Sequence, residues 1–228
     1  MIDCTNYVIM HKPYPVDQDD MYRKLCVGEY TEPGVLSERI GENISEYNDR
    51  LNELTGLYWM WKNDRHEYVG LSHYRRYFRH EGKRLDMDTV ERILVDDGYD
   101  IILSDYLRLP WTVKQNLEMA VGRDLYLDVF GKFCRAIEHY QPEYAYYFHD
   151  VLSGMNMYHK NMFICRREIM ERYCEWLFSF ILDVTDQVDV TGLSGYEKRV
   201  CGYFGEIMPT VWLKKQDLKI YEMPIAMR

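Results

Sequence analysis

The sequence has no stretch approaching the ~20 apolar residues that a helix needs to cross a bilayer, no C-x-x-C pair among its six cysteines, and no repeat or low-complexity tract. Each absence removes a class of protein. Without the apolar run a membrane-spanning helix is excluded. Met1-Ile-Asp-Cys-Thr-Asn-Tyr7 also lacks the basic start and apolar core of a signal peptide, so a cytoplasmic protein is expected. Cys4, Cys26, Cys134, Cys165, Cys174 and Cys201 are scattered, which argues for reduced, mostly buried thiols over a structural zinc or a thioredoxin-like site. Positive charge is scarce too. Twenty-eight Lys and Arg against 37 Asp and Glu leave a net charge of -9, which argues against a surface built to attract nucleic acid; any phosphate site must be built locally. His-x-Asp, Gly-x-Ser-x-Gly and a phosphate-binding Gly-Lys-Ser/Thr loop are all missing, which ranks a phosphoesterase or nuclease last.

What is present is a chain of 228 residues, 47% hydrophobic, enough for one sizeable core and a single domain over 1–228. Its 21 tyrosines join a flat apolar face to a polar tip, which suits stacking on sugars or bases and equally suits a core. Tyr7–Met10 reads as a buried strand running into a loop at His11-Lys12-Pro13, and the Asp-, Gly- and Pro-rich stretch to Asn43 as an active-site loop. Ser45 can cap a helix through about Asn63. Tyr47, Leu51, Leu54, Tyr58 and Trp61 form its apolar stripe; a second stripe, Asn48, Asn52, Thr55 and Trp59, either lines a polar ligand or faces solvent. Tyr68–Ser72 is a strand, Asp88–Asp97 a helix and Asp100–Ser104 a strand, a β-α-β rhythm that predicts a mostly parallel α/β sheet flanked by helices. Residues 113–140 read as helical, Asn161–Cys165 as a strand, Tyr196–Lys214 as a helix bent or broken near Pro209, and Leu218–Pro224 as a short last strand.

His73-Tyr74-Arg75-Arg76-Tyr77-Phe78 follows a buried strand, where open α/β sheets gather ligands. Arginine forks match phosphate oxygens, at roughly 1.5–3 kcal/mol per charge-assisted hydrogen bond. In a regular strand Arg75 and Arg76 would take opposite faces, so both reach one diphosphate only if the backbone turns; otherwise one of them holds a loop. Sugar transfer also needs a base for the acceptor hydroxyl. Glu206 shares a helix face with Arg199, with Gly202 between them admitting a close ligand or the two charges simply pairing; Asp150, in a loop-like region, is the other candidate.

Glu42–Ser45, Glu53–Asn63, Val69–Phe78, Asn161–Ile164 and Arg199–Glu206 together resemble, in order from about Tyr7 to Pro224, a family of capsular and exopolysaccharide biosynthesis proteins often classed as a domain of unknown function. The resemblance implies a GT-A-like, Rossmann-like transferase that moves a sugar, galactofuranose in some members, from a UDP donor to a saccharide or lipid-linked acceptor. A lipid-linked acceptor would place the enzyme at the inner face of the membrane. On this reading His11, Lys12, Asn43, Ser45, Thr55, Trp59, His73, Arg75, Arg76 and Tyr77 form the donor region, and His159, Asn161 and Arg199 the sugar or acceptor region. Glu206 or Asp150 is the base. Enzymes of that fold commonly hold Mn or Mg through an Asp-x-Asp, yet Asp86-Met87-Asp88 sits where helix capping explains it, so catalysis without a metal is expected. The alternative is a non-catalytic nucleotide-sugar or carbohydrate-binding module of the same fold.

Overall fold

The computed structural model describes residues 2–158 and 160–227. At its centre is a sheet of seven strands: β1 (Cys4–Met10), β2 (Tyr22–Cys26), β3 (Leu36–Ser37), β4 (Tyr68–His73), β7 (Ile101–Ser104), β10 (Phe163–Arg166) and β11 (Ile220–Met223). Their order is β11-β7-β10-β4-β1-β2-β3. Every pairing is parallel except those of β10, which runs against both β4 and β7. The predicted α/β, mostly parallel sheet flanked by helices is therefore the observed architecture. Two of its strands, β2 and β3, come from the stretch expected to be loop; they are short, and β2 interrupts its apolar residues with Arg23 and Lys24. Smaller pairings join β5 (Arg76–His80) to β6 (Lys83–Arg84) and β12 (Ile225–Met227), and β8 (Leu107–Arg108) to β9 (Asn156–Met157).

Strand alternation divides the core into two layers. Tyr7, Ile9, Val69, Leu71, Ile101 and Leu103 face one side, under α1 (Asn48–Leu51), α2 (Glu53–Asn63), α4 (Val113–Val121), α5 (Arg123–Tyr140), α6 (Ala145–Ser153), α7 (Arg167–Phe178), α8 (Ile181–Gln187) and α9 (Val200–Leu213). Val8, Met10, Tyr68, Ile102 and Ile164 face the other, under β5 and the helix α3 (Met87–Glu91) with its π-helical continuation Arg92–Asp96.

Three helical expectations change. The helix expected over 45–63 is a 3-10 turn at Ser45–Tyr47, then α1, then a break at Asn52 (φ 52°, ψ -127°) before α2. Ile44, not Ser45, holds the N-cap position, and just ahead of it Asn43 Oδ1 accepts from the Ser45 N–H at 3.2 Å. Asp150, expected in a loop, lies on α6, and α9 runs through Pro209 without interruption. The N-terminal end of α9 packs on the Asn52 break because Gly202 has no side chain: a Cβ there would run into the Asn52 amide and lie 3.1 Å from the Arg50 carbonyl oxygen. The closeness that the sequence offered to a ligand is thus taken by Asn52.

Gly202→Ala is expected to lower unfolding stability by about 1–3 kcal/mol, the usual cost of overpacking, read as a lower denaturant midpoint at unchanged slope.

Candidate active-site cleft

Because β1, β2, β3 and β4 are parallel, their carboxyl ends emerge together, and the segments that follow them line a cleft of about 1190 Å³. His11 comes from the end of β1, Gly28 and Glu29 from β2, Arg39 from β3, and His73 to Arg76 from β4. β10 runs the other way, so its amino end arrives at the same edge and brings Lys160 and Asn161 with it. Asn48, Asn52 and Glu53 enter from α1 and α2, and Arg199, Tyr203 and Glu206 from the start and body of α9.

The backbone turns at Tyr74–Arg75, so the strand-like alternation that would have parted the two arginines does not apply, and both line the cleft. Tyr74, 3% exposed, is the hub of that turn. Arg75 lies over its ring at 5.1 Å and Lys12 at 5.9 Å, while His11 meets it edge-on at 5.0 Å. Burial, then the charges of Lys12, Arg199 and Arg75, hold His11 below the ordinary histidine range. Among the described residues no carboxylate forms an ion pair with Arg75, Arg76 or Arg199. The result is a cluster of positive charge left open to an anion.

Beside it stands a carboxyl pair. Burial and the neighbouring Glu206 carboxylate push Glu53 up to about 7, against the pull of Asn161 and Lys160. Asn161 Nδ2 donates to Glu53 Oε1 at 2.8 Å, and Lys160 Nζ donates to Glu206 Oε2 at 3.3 Å. Glu206 therefore pairs with Lys160, not with Arg199. His73 Nε2 lies 2.5 Å from the Lys160 carbonyl oxygen, which can only accept, so Nε2 carries the proton. Burial lowers His73 to about 4, so the ring is neutral at pH 7 and Nδ1 is an acceptor.

Other expected site residues stand elsewhere. Asp150 is ion-paired to Lys214 at 3.0 Å and does not line the cleft. Thr55 is fully buried, with its hydroxyl bonded to Asn48 Nδ2 and to the Asn52 carbonyl. Trp59 is buried as well, donating from Nε1 to the Ile40 carbonyl oxygen at 2.6 Å. Asn48, Thr55 and Trp59 of the second helical stripe thus bond to one another or to the backbone, and of the four members Asn48 and Asn52 line the cleft. Asn43 is occupied by the Ser45 N–H and the Gly41 carbonyl oxygen, Tyr77 lies on β5 opposite Ala226, and Ser45 lines the cleft. His159 lies outside the described residues. Asp86 caps α3, accepting from the Thr89 N–H at 2.9 Å, so Asp86-Met87-Asp88 supplies no ligand at the cleft. Among the described residues no group of three or more His, Cys, Asp or Glu could hold a metal ion.

Glu53 and Lys160 escaped the sequence reading. For Glu53 a signal existed: it falls in register with Leu57 and Met60, both fully buried, so a carboxylate shares a buried stripe. For Lys160 there was none, because its place depends on the direction of β10.

With this geometry in hand, comparison with known proteins is decisive on family. The chain belongs to the family described as a domain of unknown function, DUF4422, whose model matches residues 5–217. Its fold is similar to an apo structure of the bifunctional glycosyltransferase WbbM, with a TM-score of 0.84 and 25% identity over 99% of this chain. The match covers 45% of that chain, so this protein spans less than half its length. No curated protein sequence matches it. Among the described residues no helix is long and apolar enough to cross a membrane.

The poised carboxyl has a thermodynamic signature. Glu53 is raised in the folded state, so its contribution is fully present below about pH 4.5 and is lost as the pH rises through about 7. Glu53→Gln is expected to melt higher than the wild type at pH 8, with the difference shrinking towards pH 5; equal melting temperatures at both values would contradict the placement of Glu53.

Proposed function

We propose that this domain is a glycosyltransferase that moves a hexosyl group, galactofuranose or galactose, from a UDP donor to a saccharide or lipid-linked saccharide of a surface polysaccharide, working at the cytoplasmic face of the membrane. The observation that carries the reading is the juxtaposition in one strand-end cleft of an uncompensated cationic cluster and the carboxyls of Glu53 and Glu206, the first of them raised to about 7. The likeness to WbbM supports the class of reaction, and the resemblance to polysaccharide biosynthesis proteins supports the sugar and acceptor.

The donor diphosphate lies against Arg75, Arg76 and His11, with Lys12 behind them. The acceptor hydroxyl attacks the anomeric carbon and loses its proton to the ionised member of the Glu53–Glu206 pair. The bond from that carbon to the diphosphate oxygen breaks, UDP leaves with the electron pair, and the arginines take up the charge it gains. Cations can do this without a metal, and we assign the neutralisation to them. Glu206 keeps the place that the sequence suggested for the base, Glu53 joins it, and Asp150 is set aside on its ion pair with Lys214.

Two measurements test this. Arg75→Ala or Arg76→Ala should weaken UDP binding at least tenfold, about 1.4 kcal/mol, by calorimetry with either manganese or EDTA; unchanged affinity in both variants would remove the diphosphate assignment. Glu53→Gln and Glu206→Gln should each lower transfer by roughly a hundredfold or more, the range for a lost general base, while UDP still binds. Wild-type protein that binds UDP-galactose and UDP-galactofuranose but turns over neither would instead be a binding module.

A further inference from the structure

The start of α9 presents one face to the cleft. Arg199, just before the helix, and Tyr203 and Glu206 within it are four and then three residues apart, which puts them on one side, and all three line the cleft. Tyr203 stands about 4.5 Å along the helix axis from Glu206. Its ring meets that of Tyr196 at 5.2 Å between centroids, tilted by 45°, and its hydroxyl donates to the Tyr196 carbonyl oxygen at 3.3 Å. Tyr196 is 57% exposed, yet it lines the same cleft. Tyr203 is held above the ordinary tyrosine range by burial first and then by Tyr196, with a smaller push from Glu206. The two rings therefore make a path from solvent to the carboxyl pair.

We propose that Tyr196, Tyr203 and Arg199 form an acceptor subsite, and that the acceptor is a saccharide of at least two rings whose terminal hydroxyl reaches the carboxyl pair while its penultimate ring lies on Tyr196. The proposal rests on the transferase reading above for the meaning of the carboxyl pair. A sugar ring carries a face of C–H bonds bordered by hydroxyls; an aromatic face takes the first, and a guanidinium with no ion-pair partner among the described residues takes the second. The step from Glu206 to Tyr203 and the step from Tyr203 to Tyr196 are each about the size of one sugar ring. A monosaccharide held at the carboxyl pair would leave Tyr196 uncovered. The Tyr203 hydroxyl, bonded to the Tyr196 backbone, fixes the spacing of the platform.

The test uses the full chain saturated with UDP on an array of oligosaccharides one to six sugars long. The tightest ligands are then titrated by calorimetry into wild type, Tyr196→Ala and Tyr196→Phe, with UDP affinity measured on each. The expected result is binding that requires two or more sugars, weakened at least fivefold by Tyr196→Ala and kept within twofold by Tyr196→Phe, at constant UDP affinity. If the UDP-loaded wild type retains no saccharide, or if the retained ones titrate equally into Tyr196→Ala, the subsite is wrong. Tyr196-dependent saccharide binding in a protein that does not bind UDP would count against the donor reading and uphold the subsite.

Discussion

The geometry of the cleft depends on a single departure from parallel order. With β10 reversed between β4 and β7, the residues just ahead of it are delivered to the edge where the parallel strands end. Lys160 and Asn161 there adopt φ values of 73° and 51°, left-handed conformations that cost of order 1–3 kcal/mol each for residues with side chains. Three contacts oppose that cost: His73 to the Lys160 carbonyl, Lys160 to Glu206, and Asn161 to Glu53. Those contacts reach the end of β4, α9 and α2, so one strained pair of residues ties together three elements that are far apart in sequence.

The same site shows how a chain of net charge -9 can carry a locally positive surface. Positive groups are collected at the strand ends and most acids are kept out of ion pairs with them; the exceptions are Lys160, paired with Glu206, and Arg39, held by Glu29 and by the Gly28 carbonyl. Gly28, at φ 64°, lets the loop after β2 turn against Asn48, and Glu38, fully buried, accepts the Gly28 N–H at 2.6 Å. The wall of the cleft is thus braced from behind by polar bonds among buried groups, where such bonds are strongest.

Much of this was legible in the sequence, and the division follows the range of the interactions. Strand β1, the β4-to-β7 rhythm and the capping role of Asp86 are set by local pattern, and the structure has them where pattern put them. Strand β2 is interrupted by Arg23 and Lys24 and β3 is only two residues long, so neither announces itself. The break at Asn52 was hidden because both halves keep helical periodicity, and the break is stabilised by Gly202, 150 residues away. Arg75 and Arg76 were placed at a strand end correctly, but that they share a cleft depends on a turn that strand alternation argues against. Thr55 and Trp59 looked available because polar atoms on a helix face usually meet solvent; here the 40–48 segment folds over them. Glu53 and Lys160 meet only through the sheet order, which no local signal carries.

The turn around Tyr74 holds its cations with an aromatic ring in place of an acid. A carboxylate counter-ion would have to be displaced each time an anion entered and would compete for the arginine each time one left. An aromatic ring does neither: it steadies Lys12 and Arg75 through its quadrupole and leaves their full charge facing outward. Attraction of that kind is long-ranged and screened by dissolved salt, falling off over about 8 Å at physiological ionic strength. The pull of the cleft on any anion is therefore set by the ionic composition of the surrounding solution, and no competing ion pair has to rearrange before Arg75 can meet one.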